Sequence, residues 1–251
     1  MTRLSVNLNK IALLRNSRVT GVPDVAKFAH IALDAGADGL TVHPRPDERH
    51  IRRSDVPILA ELMRPRRPAI ELNIEGYPDP RWLALVEEIR PEQCTLVPDP
   101  PDAFTSEAGW RLDDDAEAAT LAPLIARLKA LPARVILFVD PDCPKIERAR
   151  ALGADGVEIY TGTYAAAYRA GDHARALADC VATATRAAAA GLVVNIGHDL
   201  NLDNLPALVA AMPPLAEASI GHELTADALA IGFAAAVAAY KAALNPLAAA
   251  V

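Results

Sequence analysis

The sequence predicts an α/β protein: a (β/α)8 TIM barrel forming a single domain over residues 1–251, with additional helices. Three observations carry that expectation. Eight short apolar runs of strand length recur along the chain, segments with helical spacing separate them, and the hydrophobic residues (52%) are aliphatic, with only 4% aromatics. Strict alternation of strand and helix forces a parallel sheet. Strands buried on both faces read as Val-, Ile- and Leu-rich runs, and eight βα units in 251 residues suit a closed barrel. No G-x-G-x-x-G turn follows the first strand, which argues against an open dinucleotide-binding sheet.

The strands are expected, in order, at "LSVNL" (4–8), "LTVH" (40–43), "AIELNI" (69–74), "CTLVP" (94–98), "RVILFVD" (134–140), "GVEIYTG" (156–162), "LVVNIGH" (192–198) and "ASIGH" (218–222). Between them, "PDVAKFAHIALDAGA", "DDDAEAATLAPLIARLKAL" and "HARALADCVATATRAAAAGL" place apolar residues at helical intervals, and several such segments end at Gly. An internal echo, "DAGADGLTVH" against "ALGADGVEIY", marks strands two and six as repeated units. The most apolar segment, Ala228 to Tyr240, falls short of the ~20 residues of a membrane span and reads as one core helix. The stretch "VPDPPDAFTSEAGW" (97–110) follows strand four, where a barrel carries its active-site loops, and suits either a lid or a plain connection.

A formal charge of −7 excludes a general nucleic-acid or anionic-membrane binder, so any phosphate site must be local. Cys94, Cys143 and Cys180 have neither metal-ligand spacing nor an even count, and read as buried thiols of a reducing compartment. The start "MTRLSVNL" lacks a signal-peptide pattern, so the expected location is cytoplasmic.

Barrel chemistry sits at the carboxyl ends of the strands. There this sequence places His43, Arg45 and His50 after strand two, Glu71, Asn73 and Glu75 on one face of strand three, and Glu158 on strand six. Strand seven ends with Asn195 and His198, and strand eight with Gly221 and His222. The two Gly-His turns, each read as opening a helix, offer backbone N–H groups for a phosphate, with Arg18 and Arg45 as charge-assisted partners. The His and Glu set also fits a metal-dependent barrel hydrolase, but strand one offers Asn7 and Asn9 where such enzymes place two His. An inventory of acids and bases without a reactive thiol, a Ser triad or a clear metal set favours proton transfer on a carbonyl compound.

Taken together, "VNLNKIALLRNSR", "AGADGLTVHPRPDERHI", "TLVPDPPDAFTSEAGW", "VEIYTG", "VNIGHDL" and "SIGH" resemble the pyridoxine 5′-phosphate synthase family of deoxyxylulose-dependent vitamin B6 biosynthesis, in order and spacing. The resemblance implies a cytoplasmic homo-oligomer built from dimers, up to an octamer, working without metal or cofactor on small phosphorylated substrates. It implies condensation of 3-amino-2-oxopropyl phosphate with 1-deoxy-D-xylulose 5-phosphate to pyridoxine 5′-phosphate, phosphate and water. Residue by residue, it implies His43 and Glu71 as general bases, His198 as proton donor and Glu158 as a further participant. Asn7, Arg18, Asp199, Gly221 and His222 would hold the aminoketone phosphate, and Arg45, His50 and Thr105 the deoxyxylulose phosphate. The chain departs from the family pattern at Asn9-Lys10, where Asp-His is usual beside the deoxyxylulose substrate, at Tyr160 in place of His, and at Pro44 and Pro46 around Arg45. Asn9 and Lys10 keep open a second reading, a relative that condenses or binds a related phosphorylated ketone.

Overall fold

The computed structural model describes residues 1–99 and 106–246. Eight parallel strands close a barrel in sequence order, β1 pairing with both β2 and β8. They are β1 (Arg3–Asn7), β2 (Gly39–Val42), β3 (Glu71–Gly76), β4 (Gln93–Leu96), β5 (Arg134–Val139), β6 (Gly156–Tyr160), β7 (Val193–Gly197) and β8 (Glu217–Ile220). The helices are α1 (Asn9–Asn16), α2 (Val25–Asp34), α3 (Asp55–Met63), α4 (Pro80–Ile89), α5 (Asp115–Leu128), α6 (Arg148–Ala151), α7 (Gly162–Arg169), α8 (Ala174–Ala189), α9 (Leu205–Ala211), α10 (His222–Ile231) and α11 (Phe233–Leu244).

The strands alternate two kinds of side chain. Leu4, Val6, Leu40, Val42, Leu72 and Ile74 are fully buried toward the helices. Their sequence neighbours Ser5, Thr41, Asn73 and Thr95 point into the barrel and bond one another: Ser5 Oγ lies 2.7 Å from Thr41 Oγ1, and Thr95 Oγ1 donates to Asn73 Oδ1 at 3.1 Å. The barrel interior is therefore polar, and each group in it needs a partner because burying one without a hydrogen bond is costly.

Local signals account for the helix ends. Asp24 accepts the Lys27 N–H at 2.7 Å and Asp79 the Trp82 N–H at 2.7 Å, each as an N-cap. Pro80 starts α4, where a missing N–H costs nothing. The segment expected as one helix from Ala228 to Tyr240 is two: Gly232, at φ +87°, separates α10 from α11. Its left-handed backbone breaks the helical hydrogen bonding while leaving an apolar run in sequence. In α11, Phe233, Val237 and Tyr240 are buried, and Tyr240 Oη donates to Asp227 Oδ2 at 2.7 Å. Among the described residues no helix is long and apolar enough to cross a membrane.

Candidate active site

β3 shows how strand geometry sorts the acidic residues. Glu71 is its first residue, and two-residue periodicity puts Glu71, Asn73 and Glu75 on the interior face at successive depths. Glu75 is therefore at the carboxyl end and Glu71 about 13 Å away at the amino end, at ~3.3 Å per residue. Arg134 donates to both carboxylate oxygens of Glu71, from Nη1 to Oε1 at 2.9 Å and from Nη2 to Oε2, and Arg3 donates to Oε1. Burial raises the Glu71 pKa, but the hydrogen bonds and charges of Arg134 and Arg3 outweigh it and hold the carboxyl below the usual range. The expectation that Glu71 is a general base in the mouth is thus corrected: it closes the floor of the barrel as a fixed anion.

At the other end a cavity of about 370 Å³ opens. It is lined by Asn7, Asn9 and Lys10 from β1 and α1; His43, Arg45 and His50 from β2 and its loop; Glu75 from β3; Glu158 and Tyr160 from β6; and His198, Asp199, Gly221 and His222 from the last two strands. Of the residues expected there, Glu71 and Arg18 do not line it, and Thr105 lies outside the described residues. Arg18 is exposed in the turn after α1. The buried arginine of α1 is Arg15, which forms a two-pronged ion pair with Asp55 (2.6 and 2.9 Å) and donates to the His50 carbonyl at 3.1 Å. Asn16 Nδ2 bonds the same carbonyl at 2.8 Å. Helix α1 thereby sets the loop that carries His50.

Each wall is braced. Asn7 Oδ1 accepts the Asn9 N–H at 3.0 Å, and Asn9 Oδ1 accepts the His43 N–H at 2.9 Å, so the two amides tie β1 to β2 at the rim. Arg45 is buried and ion-paired with Asp99, which also accepts from Ser106 Oγ at 2.6 Å. His198 sits at φ +95° and Asp199 at φ +54°, conformations uncommon for residues with a Cβ. Thr161 Oγ1 contacts the Gly197 and His198 carbonyls, both at 2.7 Å, and the Tyr160 ring lies 5.1 Å from the His198 ring. The expected helix directly after "NIGH" is absent: α9 begins only at Leu205. Gly221-His222 alone opens directly onto a helix, α10, and presents a helix N-terminus to the cavity. Gly221 is also close-packed, since a Cβ there would lie 3.0 Å from Asn7 Cβ.

Residues 106–110 cover one side. Trp110 is buried, its indole donating to the Leu96 carbonyl at 2.9 Å and its backbone N–H to Phe138 O at 2.8 Å. This anchor brings Ser106 and Glu107 to the cavity, and the Ser106 carbonyl lies 3.1 Å from His198 Nε2.

Desolvation dominates the electrostatics. Burial lowers His43 well below the ordinary imidazole value, helped by Arg45, His50 and Arg81, and lowers His50 to about 4. His198 is lowered by burial, while Asp199 and Asp99 pull the other way. Glu75 is pushed up to about 8 by burial and by Glu217 and Asp99, and Glu158 well above its usual value by burial and by Glu75 and Glu217. Neutral imidazoles facing protonated carboxyls suit proton transfer near neutral pH.

Against known proteins, the model of the pyridoxal phosphate biosynthesis protein PdxJ family matches residues 4–246. The chain belongs to the PdxJ family. Among its relatives, pyridoxine 5′-phosphate synthase of Allorhizobium ampelinum is 52% identical over 249 residues, covering 98% of this chain and 99% of that one. The Brucella suis protein of the same name is 54% identical over 243 residues, covering 96% and 98%. Solved structures agree on the fold alone. A Mycobacterium tuberculosis tryptophan synthase chain aligns with a TM-score of 0.64 at 12% identity, over 97% of this chain and 94% of that one. Phosphoribosyl anthranilate isomerase of Thermotoga maritima aligns with a TM-score of 0.59 at 11% identity, over 98% and 100%. Glu75, on the same face of β3 as Glu71 and Asn73, lines the cavity although it is not among the expected site residues; distance from the strand's carboxyl end is the signal that separates it from Glu71.

Proposed function

We propose that this PdxJ-family chain is a pyridoxine 5′-phosphate synthase, condensing 3-amino-2-oxopropyl phosphate with 1-deoxy-D-xylulose 5-phosphate to pyridoxine 5′-phosphate, phosphate and water. The observation that carries the reading is the gathering of His43, His198 and Glu158 with Asn7, Arg45, His50, Asp199, Gly221 and His222 around one cavity of about 370 Å³ in a chain matched by the family from residue 4 to 246. The α10 N-terminus at Gly221-His222, with Asn7 and Asp199, takes the aminoketone phosphate; Arg45 and His50 take the phosphate of the ketose. Fixing both ends brings amine and ketone together as an imine and removes much of the entropic barrier. His43, neutral through burial, accepts a proton from carbon. His198 delivers protons, and bound phosphate dianions favour its charged form. Glu158 shares the proton traffic. The loop from Ser106 to Trp110 excludes water from the imine.

The whole of 1–251 works as one catalytic domain in this reading, since the strands run from Arg3 to Ile220 and the Asn245 side chain returns to Thr2 (2.9 Å). The protein acts in the cytoplasm as a homo-oligomer. Exposed Leu13, Leu14, Val19 and Val22, around Arg18, offer an apolar face for another copy, and light scattering should give a multiple of 26.6 kDa.

Asn9 and Lys10 favour one variation, a related phosphorylated ketone as second substrate. Asn9 Oδ1 is committed to the His43 N–H, so its NH₂ group is left as a donor where an aspartate would present a second anionic oxygen. The test is direct: purified protein with both substrates, product identified as pyridoxine 5′-phosphate, and loss of product in His198→Ala. No product under conditions where an authentic synthase turns over overturns the reading; product only from an analogue ketone selects the variation.

A further inference from the structure

The segment that follows β2, His43-Pro44-Arg45-Pro46, carries two groups of the site, the His43 imidazole and the Arg45 guanidinium, both buried and both lining the cavity. Proline has no N–H to donate, so Pro44 and Pro46 leave this turn two backbone donors. Both are used: the His43 N–H goes to Asn9 Oδ1 at 2.9 Å and the Arg45 N–H to the His43 carbonyl at 2.9 Å. On the other side the tie is a side chain of α4. Arg81 Nη2 donates to the Pro44 carbonyl at 2.7 Å, a charge-assisted bond. The turn is therefore held between Asn9 of the first βα unit and Arg81 of the third.

Arg81 stands on a rigid base. Asp79 caps α4 by accepting the Trp82 N–H at 2.7 Å, Pro80 fixes the first turn, and the buried Trp82 indole donates to the Glu75 carbonyl at 2.9 Å. Gly76 leaves that indole its space, since a Cβ there would lie 2.5 Å from it. Arg81 sits between Pro80 and Trp82 and is thus aimed at Pro44 by backbone tied to β3. It also lines a second hollow of about 20 Å³, which shares His43 and Arg45 with the cavity and is bounded by Asp99. Its Nε is buried there without a hydrogen-bond partner among the described residues.

We infer that Arg81 is a positioning residue of the reaction: through the Pro44 carbonyl it sets the turn that points His43 and Arg45 into the cavity. The inference rests on the synthase reading above, in which Arg45 takes the ketose phosphate and His43 accepts a proton from carbon. Arg81 itself does not line the cavity and acts through the turn.

Loss of the bond frees the turn at Pro44, so Arg45 is less well placed for the ketose phosphate, while the aminoketone phosphate keeps its site at Gly221-His222. Loss of the charge acts on His43. That imidazole is faced by Arg45, Arg49 and His50 after β2, by Arg81 of α4, and by Glu75 of β3, whose Oε2 lies 3.9 Å from His43 Nδ1. The other contacts of Glu75, from Asn7 Nδ2 at 3.4 Å and Ser219 Oγ at 3.5 Å, are long hydrogen bonds. Burial lowers the His43 pKa most, and Arg45, His50, Arg81 and Arg49 lower it further, so removing Arg81 raises it. His43 accepts a proton only when neutral, and the acid limb of the rate moves up with its pKa.

The experiment compares the wild type with Arg81→Met, which keeps the apolar stem, and Arg81→Lys, which keeps a charged donor at shorter reach. Four readouts are taken: calorimetric binding of 1-deoxy-D-xylulose 5-phosphate, steady-state kinetics from pH 5 to 9, NMR titration of His43, and Tm. Arg81→Met should weaken ketose-phosphate binding and raise its KM at least ~5-fold, with KM for the aminoketone phosphate within about 2-fold. Its acid limb and the His43 titration should both move up by at least ~0.3 pH unit. Arg81→Lys should restore the limb and leave the ketose KM about 2-fold above wild type, a pattern that carries the test alone if Arg81→Met does not fold. An Arg81→Met enzyme whose only change is a lower Tm overturns the inference, as does an equal rise in both KM values that Arg81→Lys leaves unrelieved. Absence of product from the wild type instead overturns the synthase reading, and the binding and NMR measurements then still decide the place of Arg81.

Discussion

Gly197 is where a single missing side chain leaves room for the Glu158 carboxyl. A Cβ at this position would lie 2.5 Å from Glu158 Oε1 and 3.0 Å from the Ser219 carbonyl, so Gly197→Ala must push the Glu158 carboxyl aside or spread β7 from β8. Glu158 Oε2 and Asn195 Oδ1, side by side in the β6–β7 register, are buried without a hydrogen-bond partner among the described residues, so the pair has no spare contact to absorb a shift. Gly197→Ala should lower turnover at least ~10-fold and stability by about 1–3 kcal/mol, read by steady-state kinetics and urea unfolding. Asn9 gives the contrasting case. Its Oδ1 accepts the His43 N–H at 2.9 Å, an acceptor that aspartate keeps. Asn9→Asp should therefore leave Tm within about 2 °C while changing KM for the ketose substrate, whichever direction its second oxygen imposes. The residue types of the site were readable in sequence, because His43, Glu158 and His198 follow apolar runs whose ends a barrel turns to its mouth. That Glu75 and not Glu71 lies at the cavity was not, since periodicity gives the face and says nothing of depth, and the expected strand begins two residues before the real one at Glu71.

At the scale of elements, the barrel's alternation of strands and helices was plain in the pattern of apolar runs, and the closed order of eight strands follows it. What the pattern hid were breaks that cost no hydrophobicity. Gly232 divides α10 from α11 inside an unbroken apolar run, and the chain after "NIGH" takes positive φ at His198 and Asp199 instead of entering a helix. Arg18 was drawn to the site by its place beside strand one, whereas α1 turns Arg15 inward, four residues after buried Ile11 and three after Ala12. That inward turn has a measurable consequence. Arg15 and Asp55 join α1 to the start of α3, and Arg15 also holds the His50 carbonyl. Arg15→Met leaves the Asp55 carboxylate buried without its cation, which should cost about 3–5 kcal/mol by urea unfolding. The same variant should raise KM for the ketose phosphate, because the His50 carbonyl loses the Arg15 guanidinium that holds it alongside Asn16.

Across the whole molecule, the polar barrel interior sets stability against pH through two groups of opposite sign. His43, His50 and His198 are lowered chiefly by burial, so between their folded values and 6.5 the unfolded chain binds more protons, and stability rises with pH. Glu75 at about 8, Glu217 at about 7 and Glu158 well above its usual value are raised chiefly by burial. From 4.5 upward the folded chain keeps protons that the unfolded chain has lost, so these carboxyls make stability fall as pH rises, until each passes its folded value. Each proton of difference contributes a slope of at most about 1.4 kcal/mol per pH unit. Between pH 4.5 and 6.5 the three histidines and three glutamates oppose one another, and the profile should be shallow. Above 6.5 the histidines are neutral in both states and only the carboxyls remain, so stability should decline toward pH 8. Below 4.5, Glu71 adds a loss of its own as its paired carboxylate is protonated. Urea unfolding at half-unit intervals from pH 5 to 9 measures the curve. The double variant Glu75→Gln, Glu217→Gln should flatten the decline above 6.5 and be more stable than the wild type at pH 8.5. A wild-type profile that rises from pH 6.5 to 8 would mean that the interior carboxyls are ionised in the folded protein, and that the barrel holds their charges by contacts stronger than the long hydrogen bonds around Glu75.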